Sequence, residues 1–183
     1  MNLYMKRRTA HIKPIVYKIL FLAAVLFLIY DRWVKPYLSD TPPLHSPVTG
    51  KVVQIADGDT FSILIDGKRM ERVRLQGIDA PEHYQAFGNR SRQALGRLIY
   101  GKQVKVYFKK RDQYERLLGT VFLDDTLNVN LEMVRRGMAW HFKRFSSDRR
   151  LARAEEEARR QHLGLWRDPH PLPPWEWRDK RRE

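Results

Sequence analysis

Two short acidic segments of this 183-residue chain contain the residues best suited to holding a metal ion, Asp57-Gly58-Asp59-Thr60 and Asp79-Ala80-Pro81-Glu82. Carboxylate and backbone carbonyl oxygens are the ligands that hard cations such as Ca²⁺ and Mg²⁺ prefer. A single Asp-Gly pair is most often a plain turn, and we interpret Asp57 in this way. Asp59 and Asp79 are stronger ligand candidates, because the chain between them predicts a hairpin that brings them together.

The hairpin is predicted by Asp66-Gly67, a common turn sequence between two alternating strands. A two-residue loop would place Phe61 opposite a charged residue. A three-residue loop over residues 66–68 pairs Phe61 with Val73, which matches the two faces better because cross-strand partners share a face. In either register Arg74 lies within one residue of the position opposite Asp59.

The strand that carries Arg74 continues towards Asp79 and Glu82, which lie just past its end. The hairpin therefore predicts that three acids and one arginine converge at one rim of the sheet.

Five β-strands and three helices are predicted around these residues. Alternating and β-branched segments predict strands over residues 49–55, 61–65, 69–78, 103–108 and 117–123. Apolar residues at helical spacing predict helices around Leu95 and Leu131, and a third from a cap at Ser147 to His162. This order predicts an α+β, mainly β fold, a five-stranded OB-type barrel with three helices.

The composition favours a polyanionic partner. The formal net charge is +14 with a sequence pI near 10.2. Residues 46–167 alone hold 24 Lys/Arg and 15 Asp/Glu, a net of +9, so the folded part is basic in its own right. Such a balance is typical of proteins that bind nucleic acid or an anionic membrane face. The absence of cysteine excludes disulfides, thiolate metal sites and cysteine nucleophiles.

The N-terminal segment is predicted to be a membrane anchor. Residues 15–30 are apolar except for Lys18, and four basic residues without an acid precede them. We expect a basic segment over 1–14 and a transmembrane signal anchor over 15–37, with the N-terminus cytoplasmic and the following domain periplasmic or extracellular. A cleaved signal peptide is the alternative, but no small residues follow Ala24 at a cleavage site.

The rest of the chain divides into three parts by composition. A Pro/Ser-rich linker is predicted over 38–48, the barrel domain over 49–167, and a Pro-, Trp- and charge-rich tail over 168–183. The tail is expected to lie along the surface or to be mobile.

Three motifs together resemble the active site of the staphylococcal nuclease (thermonuclease) family. They are Asp59-Thr60, the segment Arg74-Leu-Gln-Gly-Ile-Asp79-Ala80-Pro81-Glu82, and Asp112-Gln-Tyr114-Glu-Arg116. The resemblance covers about residues 49–166 in the family's order. It implies an OB barrel and a calcium-dependent endonuclease that hydrolyses phosphodiester bonds of DNA and RNA with low sequence specificity.

The resemblance also implies roles for the acidic residues. Asp59 and Asp79 would bind Ca²⁺ through their carboxylates, and Ala80 would contribute its backbone carbonyl oxygen. Glu82 would orient or deprotonate the attacking water.

The basic residues would act on the phosphate. By resemblance, Arg74 and Arg116 would hold the scissile phosphate and stabilise the charge of the transition state, and Tyr114 would contact a nucleotide phosphate. From charge alone, Lys109 and Lys110 could steer the polyanion towards the site, although a merely solvated hairpin tip is an equal alternative.

One departure from the family pattern concerns the loop before Arg116. Glu115 stands where the family usually has glycine, so a left-handed backbone there would strain this residue. Two other functions stay open: a non-catalytic OB-like module that binds nucleic acid or protein at the membrane, and a membrane adaptor that binds partners through its tail. Nothing in the sequence indicates an obligate protein partner.

Overall fold

The computed structural model describes residues 12–30, 32 and 44–181, which fall into two units divided between Leu44 and His45. The first unit contains helix α1, Ile12–Ile29. Within the described ranges, no helix has both the length and the apolar character needed to cross a membrane. Residues 1–11, 31, 33–43 and 182–183 lie outside the described part. They include most of the predicted basic segment and linker, part of the predicted anchor and the end of the predicted tail. Anchoring and location remain predictions.

The second unit is built on a closed β-barrel. Its strands are β1 Val48–Ile55, β2 Thr60–Ile65, β3 Arg69–Leu75, β4 Ile78–Asp79, β5 Gln103–Arg111, β6 Leu117–Leu123, β7 Leu127–Asn128 and β8 Trp140–His141. The main sheet has the order β3-β2-β1-β5-β6-β7. It closes because β3 also pairs with β6 in parallel, with Val73 opposite Leu117 and Arg74 opposite Leu118. The predicted five-stranded OB-type barrel is confirmed.

The β2–β3 hairpin has the three-residue loop that the sequence favours. Phe61 pairs with Val73, Thr60 pairs with Arg74, and the loop occupies residues 66–68. The prediction that the third strand continues to Ile78 is wrong, because the strand ends at Leu75 and Gly77 turns the chain with φ of +77°. Only glycine adopts this conformation without strain.

Beyond the turn at Gly77, Ile78 and Asp79 form a separate short strand, β4, which pairs with β8. Asp79 is thus held by a second small sheet.

The three predicted helices are present as α2 Gly88–Ile99, α3 Val129–Arg135 and α4 Arg149–Arg160. The predicted cap of the third helix is wrong by one residue: Asp148, not Ser147, accepts the backbone N–H of Arg150. This helix also ends before His162, which is exposed. A further helix, α5 Pro174–Lys180, forms in the tail and was not predicted.

Two apolar clusters hold these elements together. Alternate strand residues fill the barrel, and the fully buried ones include Val52, Phe61, Ile63, Val73, Leu75, Val104, Val106 and Leu117. Full burial of such a side chain stabilises the fold by roughly 1.5–3 kcal/mol relative to exposure. A second cluster of Trp140, Ala158, Leu165 and Trp166 joins α4 to β8, and Trp175 of α5 packs against it.

Candidate active site

Asp59 lies directly before β2, in a turn that packs closely against its neighbours because residue 58 is glycine. A side chain at Gly58 would collide with Ser91 of α2 and with Ala80. The turn is closed by Asp57, whose Oδ1 accepts the backbone N–H of Asp59 at 3.0 Å. Asp57 is therefore the turn residue that the sequence indicates. Burial raises its pKa, while the neighbouring Arg74 guanidinium opposes that rise.

Arg74 joins the two predicted metal ligands. Its Nη1 contacts Oδ2 of Asp59, and its Nη2 donates to Oδ1 of Asp79 at 2.7 Å. Both carboxylates are almost fully buried. Burial lowers the pKa of Arg74, and the charge of Asp79 opposes that shift. A buried carboxylate pair is unfavourable without a cation, so the guanidinium is required to hold both acids in one place.

Arg116 is directed towards the same point by Asp112. Its Nε and Nη2 donate to Oδ2 of Asp112 at 2.8 and 2.7 Å, and its Nη1 donates to the Thr60 hydroxyl at 3.2 Å. Thr60 in turn donates to Oδ1 of Asp59 at 3.1 Å. Burial alone would raise the pKa of Asp112, but the hydrogen bonds from Arg116 outweigh it and lower the pKa. One hydroxyl therefore links the arginine to the acidic pair.

The loop before Arg116 shows the strain that the sequence suggests. Glu115 has φ of +60°, the left-handed region in which glycine is favoured. Its N–H still donates to the Asp112 carbonyl at 3.1 Å, and its own carbonyl accepts from Arg111 at 2.8 Å. The turn is thus closed with a non-glycine residue, and the Arg116 side chain still points towards Thr60.

Glu82 and Ala80 complete the acidic rim. The backbone N–H of Ala80 donates to Oδ2 of Asp59 at 2.7 Å, which fixes the 79–82 segment against β2. The Glu82 side chain is one-third exposed, so it is the acid of the set that water reaches most easily. The role of the Ala80 carbonyl oxygen as a metal ligand remains a prediction.

The three residues predicted to bind substrate form no hydrogen bond or ion pair with Asp59 or Asp79. Tyr114 is exposed, and the Arg116 guanidinium lies over its ring at 5.2 Å from the ring centre. Lys109 and Lys110 are exposed near the end of β5. Neither lysine takes part in the hydrogen bonds and ion pairs that connect the acidic pair, so their part in steering remains a prediction.

Arg178 of α5 is a member of the site that sequence reasoning missed. Its Nη2 donates to Oδ2 of Asp79 at 2.8 Å, and its Nη1 donates to Oε1 of Glu82 at 2.6 Å. Burial opposes the charged guanidinium, but these hydrogen bonds outweigh it and raise the pKa of Arg178. Pro174 at the first position and basic residues in the last turn could have indicated the helix. A contact across 96 residues has no local signal.

Comparisons with known proteins place the sequence in one family. Residues 72–168 match the family model described as staphylococcal nuclease homologue. The chain is 46% identical over 146 residues to Protein ParB of Escherichia coli, which covers 74% of this chain and 82% of that one. It is 41% identical over 145 residues to a protein of Escherichia coli O157:H7 named an uncharacterized endonuclease, covering 79% and 94% of the two chains.

A third relative is named as a nuclease. The chain is 42% identical over 146 residues to the micrococcal nuclease of Shigella flexneri, which covers 74% of this chain and 83% of that one. The match to the family model spans more than half of the chain, and the relatives are matched over most of their length. The chain therefore belongs to the staphylococcal nuclease homologue family and is a phosphodiester hydrolase.

Proposed function

We propose that this enzyme is a calcium-dependent endonuclease that cuts DNA and RNA with low sequence specificity. The observation that carries the proposal is the bridge made by Arg74 between Asp59 and Asp79, with Arg116 linked to the same pair through Thr60. Acids and arginines that are far apart in sequence thus meet at the point where β3 pairs with both β2 and β6.

The donor set fits a hard cation. Asp59, Asp79 and Glu82 offer only oxygen atoms, and Asp79 and Glu82 already share one guanidinium group, that of Arg178. Within residues 44–181, no three acid, histidine or cysteine side chains form a ready metal cage. Calcium takes six to eight oxygens, so main-chain and water oxygens would have to complete its shell.

The metal would be held by the carboxylates of Asp59 and Asp79 and by the Ala80 carbonyl. When bound, calcium neutralises charge on the phosphate and makes water more acidic. The chain's own residues supply the remaining functions of the site.

The two arginines would hold the phosphate and stabilise the charge that develops on it. A guanidinium is planar, permanently charged and forked, so it donates two parallel hydrogen bonds to a phosphate. Asp112 fixes Arg116 at Nε and Nη2 and leaves Nη1 directed at Thr60, beside Asp59. Loss of one such preorganised donor costs about 10²–10³ in kcat, by analogy with oxyanion-hole donors.

Glu82 would orient or deprotonate the attacking water. It is the most exposed acid of the site, and neither Arg74 nor Arg116 is among its ion-pair partners. Its exposure would allow it to reach water while Asp59 and Asp79 remain shielded from solvent.

Sequence-independent binding is supported by the charge of the domain. The net charge of +9 over residues 46–167, with Tyr114, Lys109 and Lys110 exposed, suits contacts to phosphates rather than to bases. We expect affinity for single-stranded DNA to fall steeply as salt is raised from 50 to 200 mM, by about tenfold or more for several phosphate contacts.

The proposal is tested by digestion of fluorescent single-stranded DNA and RNA with the full-length chain, in calcium and in excess EGTA. Cleavage of both substrates in calcium and its loss in EGTA are expected. Cleavage that persists in EGTA would refute the metal role. Binding without cleavage in calcium would instead support the non-catalytic OB-like module.

The residue roles are tested by Arg74→Ala, Arg116→Ala and Glu82→Gln. Each is expected to lower kcat by about 10²-fold or more, while the control Arg97→Ala removes an exposed charge on α2 and leaves kcat unchanged. An unchanged rate in Arg74→Ala or Glu82→Gln would show that the assigned site is wrong.

A further inference from the structure

The tail helix α5 is too short to be stable by itself. It has seven residues, and isolated helices shorter than about 12 residues are marginal in water. Its sequence favours helix formation at the ends, with Pro174 at the first position, Glu176 in the first turn and Lys180 in the last. The helix must therefore be stabilised chiefly by what it docks against.

Apolar and polar contacts dock α5 next to the active site. The ring of Trp175 stacks on Phe142, with 5.3 Å between ring centres and 4° between planes, and meets Trp140 edge-on at 5.6 Å. Pro174 is buried. Just before the helix, the Leu172 carbonyl accepts a hydrogen bond from Gln85 at 2.6 Å. The side-chain oxygen of Gln85 also accepts the backbone N–H of Glu82, so this one side-chain amide connects the tail to the 79–82 segment.

This docking brings the Arg178 guanidinium to the carboxylates that would hold the metal. Nη2 lies 2.8 Å from Oδ2 of Asp79, and Nη1 lies 2.6 Å from Oε1 of Glu82 and 3.3 Å from Oδ1 of Asp79. Asp79 is 1% exposed, so its two oxygens face only Arg74 and Arg178 among the described cations. Every oxygen of Asp79 is therefore already engaged by a guanidinium.

The guanidinium and a calcium ion need the same oxygens. Arg178 donates to both oxygens of Asp79 and to Glu82, so its positive charge lies where a calcium ion bound to these two acids would be. Repulsion between the two positive charges disfavours calcium while the guanidinium is in place. Arg178 also pairs with Glu82, the acid proposed to act on water.

We propose that α5 is an autoinhibitory segment, in which Arg178 occupies the cation position between Asp79 and Glu82 and must leave before a metal ion binds. The proposal rests on the function proposed above, because it takes Asp79 as a metal ligand.

Competition of this kind has a quantitative consequence. When only a fraction of the molecules is competent to bind, the apparent dissociation constant rises by the inverse of that fraction, so a helix docked in about 90% of molecules weakens calcium binding about tenfold. By the same linkage calcium releases the helix and exposes Trp175 to water.

Calcium affinity of full-length variants, measured by isothermal titration calorimetry, tests the competition without any nuclease assay. Arg178→Gln removes the competing group and is expected to bind calcium about tenfold more tightly than the wild type. Because the loss of any nearby positive charge also favours a cation, two further variants are needed. Arg181→Gln removes a charge that lies over Trp177 and that forms none of the ion pairs of Asp79 and Glu82 in the described part of the chain, so it is expected to leave the affinity unchanged.

The second variant, Trp175→Ala, removes no charge and keeps Arg178. Since it removes the stacking on Phe142 and the contact with Trp140, it is expected to undock α5 and tighten calcium binding like Arg178→Gln. If calcium binds more tightly to Arg178→Gln but not to Trp175→Ala, the loss of a nearby positive charge explains the effect by itself. That result would overturn autoinhibition by docking of α5.

Tryptophan emission provides an independent readout of helix release. Calcium is expected to shift wild-type emission to longer wavelength as Trp175 becomes exposed, and Trp175→Phe is expected to remove most of that shift. Calcium binding with the same affinity in wild type and Arg178→Gln would overturn the inference alone. No calcium binding in any variant, Arg178→Gln included, would overturn the calcium proposal together with it.

Discussion

Asn130, at the start of α3, holds together the segment that delivers Asp79. Its side chain accepts the backbone N–H of Val121 at 3.0 Å and donates to the carbonyls of Gln76 and Gly119 at 2.9 and 3.1 Å. The residue is 3% exposed. It thus ties α3 to β6 and to the turn between Arg74 and Asp79.

Asn130→Ala is expected to destabilise the protein by about 4 kcal/mol. The buried N–H of Val121 loses its partner, and an unsatisfied buried group costs about 1–3 kcal/mol. The carbonyls of Gly119 and Gln76 each lose the hydrogen bond from Asn130. The Gly119 carbonyl keeps its other bond, from the Gln76 N–H at 2.8 Å, and the bond to the Gln76 carbonyl is only partly buried. Each of these two losses therefore costs about 0.5–1.5 kcal/mol.

The measurement is urea denaturation followed by circular dichroism, with Asn128→Ala as the matched control. Asn128 caps α3 through a single bond to the Leu131 N–H at 3.0 Å, so its loss should cost about 1 kcal/mol. A cost for Asn130→Ala no larger than that for Asn128→Ala would refute the three-bond reasoning.

Three further predictions follow from the loop of Arg116 and its neighbours. Glu115→Gly is expected to be about 1 kcal/mol more stable than Glu115→Ala in urea, because alanine must adopt the positive φ that glycine tolerates; equal stabilities would show that the turn relaxes. Asp112→Asn is expected to lower kcat on single-stranded DNA more than it changes KM, because Arg116 loses its charged support; a retained kcat would contradict the positioning role. Burial opposes the charged form of Glu71, but hydrogen bonds from two arginines outweigh it and lower its pKa. The wild type should therefore have a larger free energy of unfolding than Glu71→Gln above about pH 4.5, and this difference should disappear as the pH falls further. Denaturation at pH 7 and pH 3 checks this, and a difference of equal size at both pH values would contradict it.

The sequence predicted the central hairpin because its information is local. The alternation of Phe61 and Val73 across a three-residue loop has one register that matches both faces, and that register places Arg74 beside Asp59. The hairpin therefore predicted that Asp59, Arg74, Asp79 and Glu82 lie together, whereas the resemblance added Arg116 and the roles of all five residues.

The contacts that the sequence could not predict depend on packing over long distances. The third strand was predicted too long because Val73 and Leu75 alternate with Arg74 and Gln76 up to the turn, which is set by the single glycine Gly77. Arg178 was missed because the stability of its helix comes from Trp175 on Phe142, a contact that no periodicity in the tail reveals. The cap at Asp148 rather than Ser147 reflects two adjacent residues with equal capping chemistry.

The pairing of β3 with β6 has a consequence for when the enzyme can begin to cut. Arg74 lies on one side of this seam, opposite Leu118, and Arg116 directly precedes the strand on the other side. A newly made chain that has formed its first three strands has one arginine near the acids but not the second. Cleavage should therefore not return during refolding before β3 has paired with β6, and a growing chain should not cut nucleic acid until Arg116 has been made and this pairing has formed.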